Sequence, residues 1–520
     1  MTNPVLVVGA GPVGLVAAAE LARRRVPVRI IDQLAVPTTE SRAIVVHARS
    51  LEMLDRMGIV DAVMDSGIKT TAMEMHAAGR RLARVDLDGV DSPFPFSVTT
   101  PQTETERILA EFLAGQGVTV ERGAELTGLV QDADGVRATV RHDDGRDEVI
   151  TAPYLMGADG ARSAVRHLVG AALAGSFKGE RFLMGDVEAG CELERHSMYT
   201  YFAKDTGPLL VFPMRGQRMR LIAQIETDGA EREPTIGWLQ QVTDERAGAG
   251  TVTISSAHWL TIFEIHHAQV PAYRFGRVFL GGDAAHVHSP AGGQGMNTGM
   301  QDSFNLGWKL ALAADGAASG ALLDSYHAER HPVAAKVIEF STLLTKVGTL
   351  DSGLARTLRN SVMHAASGLA PVRHALANQA EETALAYRDS PVVIGGRQPR
   401  HALHAGDHVP DVSGVGLRQV LDRETGHVLV TVAGTDGTPA AAAGGAAPGT
   451  RQVLVGGDGE VSGASGYDAA VADPGRRLAQ RLGLPHGGRV MVRPDGYAGF
   501  VTDLADTTTV TQYAALVGRG

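Results

Sequence analysis

Gly9, Gly11 and Gly14 lie between two short apolar runs, Val5–Val8 and Val28–Ile31, and the second run ends at Asp32. Apolar run, glycine-punctuated turn, amphipathic stretch and second apolar run read as strand, helix, strand. Each glycine answers a separate steric demand. Gly9 permits the tight strand-to-helix turn, Gly11 lets backbone N–H groups close on a pyrophosphate, and Gly14 lets the helix lie against the strand. Pro12 and Val13 complete the hexapeptide, where the helix N-terminus supplies positive partial charge. Asp32 follows Gly14 by 18 residues, where an acid can accept from a ribose hydroxyl. The segment reads as a dinucleotide grip, open at this point to FAD or NAD.

The chain has 520 residues, too many for one core, and should form about three units. With 44% hydrophobic and 20% charged residues it reads as an ordinary globular protein. A net charge of −10 argues against nucleic acid or an anionic membrane as partner. The one local basic cluster, Arg23-Arg24-Arg25, closes the first helix, where cations favour the negative end of the dipole. The single cysteine, Cys191, leaves no internal disulfide and no CxxC redox or zinc chemistry. No run approaches ~18 apolar residues and no basic leader precedes a hydrophobic stretch, so a cytoplasmic protein is expected.

Arg42 to Met57 reads as a second helix, with Leu51, Leu54 and Met57 at helical spacing. From Val118 to Ile150, short alternating segments are broken by Asp134-Gly135 and Asp144-Gly145, both hairpin signals. Tyr154–Met156 then runs into Gly157-Ala158-Asp159-Gly160, another strand ending in a tight turn. From Ser197 to Ile225 the period is two, which predicts an antiparallel meander able to wall a bulky apolar ligand. Helices are expected over Asn297–Ala314 and after Leu322. The Ala/Gly/Pro-rich stretch 437–450 reads as a flexible loop. Beyond it, Gln452–Val455, Arg489–Val492 and Gly499–Val501 read as strands of a separate α/β domain beginning near residue 400.

Two further motifs carry chemistry. Arg277–Leu280 is an apolar strand delivering Gly281-Gly282-Asp283 at its C-terminal end, and Pro290-Ala291-Gly292-Gly293-Gln294-Gly295-Met296-Asn297 then opens a helix. A glycine-rich loop at a helix start presents bare N–H groups to an anion, whereas Asp283 suits sugar-like hydroxyls. A pyrophosphate grip, a hydroxyl acceptor and a second N–H loop, far apart in sequence, fit FAD, since NAD has no ribityl chain. Asp283, His286 and His288 could also be read as a metal triad, but no fourth ligand stands nearby, and no metal is expected.

In this order, Gly9–Gly14, Gly157-Ala158-Asp159-Gly160-Ala161-Arg162-Ser163 and Gly281-Gly282-Asp283 resemble the class A flavoprotein aromatic hydroxylases, which include p-hydroxybenzoate hydroxylase and phenol hydroxylase. Leu323–Pro332 matches a fourth, structural segment of that family. The likeness is strongest to the branch acting on aromatic polyketides, spans residues 3–390, and beyond 400 rests on domain order. It implies an α/β fold: a Rossmann-like FAD-binding domain of the p-hydroxybenzoate hydroxylase type, an antiparallel-sheet substrate domain and a thioredoxin-like C-terminal α/β domain. The implied boundaries are 1–175 and 266–395 for the two parts of the FAD domain, 176–265 for the substrate sheet, and 400–520 for the C-terminal domain, which has no CxxC.

The resemblance also implies roles. Asp32, with Gln33 beside it, should hold the adenosine ribose, and Arg42 and Gln102 should contact the phosphate or ribityl region. Leu126 matches a position contacting FAD through its backbone, and Asp159 and Arg162 should serve both FAD and the nicotinamide cofactor. Asp283 should bind the ribityl chain or pyrophosphate, and Gly295, Met296 and Asn297 should meet the isoalloxazine. Tyr201, Phe212 and Met214, with Pro290, are expected to line the substrate. The implied reaction is NADPH- (or NADH-) and O2-dependent hydroxylation of a phenolic, polycyclic substrate through a C4a-hydroperoxyflavin, with no side chain named as catalytic. Baeyer–Villiger oxygen insertion on a polyketide ketone and non-catalytic sequestration of flavin and an aromatic ligand are the alternatives. A homodimer is left open.

Two departures stand out. Arg25 occupies the place of the family's helix-ending glycine, so that turn is expected to be built differently, and Asp32 is shorter than the usual Glu. Trp238, Trp259 and Trp308 are isolated, unlike the W-x-W-x-I-P segment of flavin halogenases, and Ser163 has no G-x-S-x-G context for a hydrolase.

Overall fold

The three glycine-bearing motifs meet because the strands that precede them are neighbours. The computed structural model describes residues 3–203, 207–225, 232–289, 292–348, 369–396 and, between 398 and 518, all but 400, 401, 413, 422, 423, 436–440, 448, 458–464 and 507. A six-stranded sheet runs in the order Arg274–Phe275, Val278–Leu280, Leu155–Gly157, Val5–Val8, Val28–Asp32, Val120–Arg122, parallel except at the first pair. Its central strands are short and wholly apolar because both faces are covered, as a parallel sheet requires. Their C-terminal ends deliver Gly9, Ala158 and Gly281 to one edge, and Gly281 N–H donates to Gly157 O (3.0 Å).

The helix expected from Arg42 is shorter than its spacing suggested. Val45–Val46 is a strand paired with Ser97–Thr99, and the helix spans only Ala48–Met57. Ile44, Val45 and Val46 are β-branched, and all three are buried in extended backbone. Leu51, Leu54 and Met57 do face the core, and Gly58 ends the helix at φ 81°. Arg25 also differs from expectation. It adopts the left-handed conformation itself (φ 62°), so the family's turn is kept at a cost of about 1 kcal/mol.

The meander forms as read: Ser197–Phe202, Pro208–Pro213 and Arg218–Ile225 pair antiparallel. It belongs to an eight-stranded sheet that also takes in Ala174–Cys191, Val252–Gln269, His286–Val287 and the hairpin Ala72–Ala77/Arg80–Asp86. The sheet therefore draws strands from outside 176–265. Its period-two alternation divides the side chains between two layers. Tyr201, opposite Leu209, packs with Trp238 and Leu239 of the helix Ile236–Ala247. Phe212 and Met214 lie on the other face, with Met184, Leu210, Ile222 and the Ile44–Val45 strap. Tyr201 thus does not share a wall with Phe212 and Met214, because adjacent positions along a pleated strand point to opposite faces.

The C-terminal sheet runs Ala469–Val471, Arg451–Val455, Val428–Val432, Gly488–Val492, Ala498–Thr502, with three parallel strands and an antiparallel pair. One face closes over Leu478 and Leu482, and the other, through Leu429, Met491 and Phe500, packs on Trp308 and Leu322 of the helices Gly295–Ala314 and Gly320–Gly348. The described part of 437–450 holds neither helix nor strand, yet Ala443 is buried and exchanges hydrogen bonds with the Gln452 side chain. The turn after Val492 drives two charges into this interface. Arg493 donates to both Glu329 oxygens (2.7 and 2.8 Å), Lys309 Nζ donates to the same carboxylate (2.7 Å), and Asp495 accepts from Arg493, Trp308 and Asn305. Among the described residues, no helix is long and apolar enough to cross a membrane.

Glu329→Gln leaves Lys309 and Arg493 buried without their shared counter-charge. The expected loss is about 3–5 kcal/mol of unfolding free energy, read by urea titration. Burial, aided by Arg493, pulls His427 down to about 4. An unfolded imidazole takes its proton near 6.5, so between those values the unfolded state binds more protons and stability falls as pH falls. Urea titrations from pH 7 to 4 should show a slope of about 1.4 kcal/mol per pH unit from this group, absent in His427→Gln.

Candidate cofactor site

The first glycine turn separates packing from binding. An ideal Cβ at Gly9, where φ is 100°, would stand 2.3 Å from Ala158 O, and one at Gly14 would stand 1.9 Å from Gly9 O. A Cβ at Gly11 would meet nothing within 4 Å. Gly11 therefore faces open space, and as N-cap of Pro12–Ala22 it stands at a helix start with no side-chain cap. Asp32 accepts from Ala10 N (2.7 Å) and Leu34 N (2.8 Å), which fixes its carboxylate beside the turn, while Gln33 is exposed.

Val13 joins this turn to the other motifs. Its side chain fills the space a Cβ would take at Gly282 and at Gly299 (2.7 Å each), and its carbonyl accepts from Ser303 (2.7 Å). Glycines at 282 and 299 thus let the Gly-Gly-Asp turn and the helix Gly295–Ala314 close on the first motif. Asp283 projects from that turn, accessible to solvent but ringed by protein. The partial desolvation pushes its carboxyl up, against the pull of His286 and Arg42. His286 itself is bonded to Asp302 (2.9 Å).

Arg42 is exposed beside Glu40 (3.2 Å). Its backbone is held from the substrate sheet: Arg220, paired with Asp186 (2.6 and 2.9 Å), donates to the carbonyls of Arg42 (3.1 Å) and Ala43 (3.0 Å). Gln102 accepts from Ala43 N (2.9 Å), so its side chain braces the same strap. Asp159 accepts from Ser163 Oγ (2.5 Å) and Val165 N (3.0 Å), capping the helix Ala164–Leu168. Arg162 is exposed with no partner among the described residues, and the Leu126 side chain is buried in the core. Met296 is buried, and Asn297 binds three backbone groups: it accepts from His47 N (2.9 Å) and donates to Val45 O (2.9 Å) and Gly293 O (2.8 Å). Pro290 lies outside the described residues.

The structure adds residues that the sequence reading missed. His47, Glu381 and Glu382 are buried around the start of the Gly295–Ala314 helix. Nothing in spacing marks the acidic pair 381–382, which follows the helix Ala370–Ala380. Asp186 and Arg220 were visible in principle, as charges at inward positions of alternating strands.

Residues 2–341 match the family described as FAD binding domain. The chain belongs to that family. This FAD-binding protein is 37% identical over 522 residues to 6-methylpretetramide 4-monooxygenase of Streptomyces rimosus, covering 98% of this chain and 92% of the relative. Its fold matches an anhydrotetracycline hydroxylase from Streptomyces rimosus (TM-score 0.76, 28% identity, 99% of each chain). It also matches aklavinone-11 hydroxylase solved with FAD and aklavinone (TM-score 0.78, 25% identity, 99% of this chain and 98% of that one). The FAD-binding protein is accordingly a flavoprotein monooxygenase. The open approach at Gly11, the uncapped helix starts and the accessible Asp283 acceptor fit FAD.

Gly11→Val should fold, since a Cβ there has open space around it, but should retain little FAD. Gly14→Ala should lose stability itself, because its Cβ strikes backbone. Flavin content and thermal midpoint, measured side by side, check the contrast.

Proposed function

We propose that the chain is an NAD(P)H- and O2-dependent monooxygenase that hydroxylates a phenolic, polycyclic substrate of the aromatic polyketide type. The observation that carries this reading is the apolar face of Phe182, Met184, Leu210, Phe212, Met214 and Ile222, turned toward the Ile44–Val45 strap that borders the cofactor residues. A fused aromatic ring system needs such a wall, both to bury its faces and to exclude water. The names of the relatives, which give 6-methylpretetramide, anhydrotetracycline and aklavinone, support the substrate class.

When bound, FAD supplies electron transfer from the nicotinamide nucleotide and activation of oxygen. Around it, Gly11 and the Pro12–Ala22 helix start would receive the pyrophosphate, Asp32 the adenosine ribose, Asp283 the ribityl hydroxyls, and the Gly292–Asn297 segment the isoalloxazine. The exposure of Arg162, and its freedom from any described partner, support a role in meeting an anionic nicotinamide nucleotide. Phe212 and Met214 would orient the substrate ring. The reaction needs no side-chain nucleophile.

NAD(P)H consumption by purified protein should rise when a polycyclic phenol is added, and the product should be one oxygen atom heavier. NMR of that product decides the chemistry: a new ring hydroxyl supports hydroxylation, and a lactone overturns it in favour of oxygen insertion. Phe212→Ala should raise the substrate KM by about tenfold or more, the worth of one buried aromatic contact, with FAD content unchanged. Absence of substrate-stimulated NAD(P)H consumption across such phenols would overturn the reading.

A further inference from the structure

Behind the Gly292–Gly295 turn lies a buried ion pair whose hydrogen bonds reach the turn itself. Gly292 (φ 99°) and Gly293 (φ 67°) both lie at positive φ, and as glycines they can leave that conformation at little cost unless something holds them. Two side chains hold them. His47 Nε2 donates to Gly292 O (2.9 Å), and Asn297 Nδ2 donates to Gly293 O (2.8 Å). In a trans peptide, N–H and C=O point in opposite directions. With both carbonyls drawn inward, the N–H groups of Gly293 and Gln294 are turned the other way, beside the uncapped first turn of the Gly295–Ala314 helix. Successive N–H groups so arranged form a concavity suited to negative charge.

The protonation of His47 follows from its partners. Gly292 O can only accept, so Nε2 carries a hydrogen. At Nδ1 stand Ser97 Oγ (3.1 Å) and Glu381 Oε1 (3.3 Å), and Ser97 spends its own hydrogen on Glu381 (2.6 Å). Both neighbours of Nδ1 are therefore acceptors, and the ring donates from both nitrogens as an imidazolium. Glu381 stays ionised through Ala48 N (2.7 Å), where it caps the Ala48–Met57 helix. The shifts agree: burial alone would lower His47, but the Glu381 carboxylate carries it above its ordinary range, and His47 holds Glu381 below its own despite burial. Glu382, bonded to Thr298 Oγ1 (2.7 Å), and Arg330, bonded to Thr298 O (3.0 Å), complete the charged groups behind this helix start.

We propose that His47, held as an imidazolium by Glu381, is a positioning residue that fixes the Gly292–Gly293 peptide and so makes the turn bind reduced, negatively charged FAD more tightly than oxidised FAD. The proposal rests on the reading that this turn receives the isoalloxazine. His47 is buried and bonded to the backbone of the turn, so its effect passes through the orientation of N–H groups. A turn with free peptide planes would present those groups only part of the time, and the reduced ring, which gains most from them, would lose most.

The test uses the holoprotein, with His47→Gln and Glu381→Gln, the second leaving the imidazole in place without its counter-charge. In His47→Gln the affinity for oxidised FAD should change little, while affinity for reduced FAD falls about tenfold. For a two-electron couple this is a reduction potential about 30 mV more negative. Glu381→Gln should move the potential in the same direction, and it carries the test if His47→Gln does not fold. An unchanged potential in a folded, yellow variant overturns the role of His47. Reconstitution with FAD carrying 13C at C2 separates the two levels of the argument. A wild-type C2 shift equal to that of free FAD would overturn the placement of the ring at this turn. A displaced wild-type shift that stays put in His47→Gln would overturn only the proposal.

Discussion

The carboxylate of Asp302 is wholly buried, and the cofactor edge depends on how it is satisfied. Gly282 N donates to it (3.1 Å), as does His286 Nε2 (2.9 Å), and Arg330 Nε donates from the other side (2.7 Å). A carboxylate without water is tolerated only when such donors replace it, and Arg330 with His286 keeps the Asp302 pKa low in spite of burial. One side chain thereby ties the Gly-Gly-Asp turn, the Gly295–Ala314 helix and the Gly320–Gly348 helix into a fixed relation. Asp283, one residue beyond the tethered N–H, inherits its position from that bond.

Around this anchor the structure uses close backbone approach on one side and buried charge on the other. The first motif and the second are brought together by a methyl-bearing side chain, Val13, lodged where Gly282 and Gly299 lack one. The strap of residues 42–47 is held by charge and amide groups: Arg220 with Asp186 at one end, Gln102 in the middle, Asn297 and His47 at the other. Substrate sheet and cofactor domain are thus joined through the backbone of a segment in which the exposed Arg42 side chain stands outside that scaffolding.

What could be read from the sequence was what local sterics fixes. Gly9 at a strand end and Gly14 in the first helix stand where a Cβ would strike backbone, and apolar runs of three or four residues became the central strands. The meander, with its alternation, also emerged strand by strand. Period alone could not say which of the two faces meets the cofactor, so Tyr201 was grouped with Phe212 although the sheet separates them. Helical spacing from Leu51 to Met57 was extended back across Ile44–Val46, where pairing with Ser97–Thr99 decides the backbone. His47 and Glu381 were illegible for a different reason. They lie 334 positions apart, and neither sits in a glycine motif or an alternating strand that would have marked it.

The charged turn at Arg493 has a consequence for the order in which the molecule can be made. Glu329 and Lys309 belong to helices synthesised well before residue 493, and Trp308 beside them is packed largely by residues made later, among them Leu429, Met491, Phe500 and Tyr513. Until then the helices carry an under-packed tryptophan and a carboxylate missing one of its two cations, so the cofactor domain reaches its final packing only after the C-terminal sheet has been made. Because desolvating Arg493 is tolerable only with Glu329 and Asp495 already in place, docking of the last domain admits no stable halfway state. The C-terminal sheet, which holds no cofactor residue named above, is in this sense the closing step of the cofactor domain's own assembly.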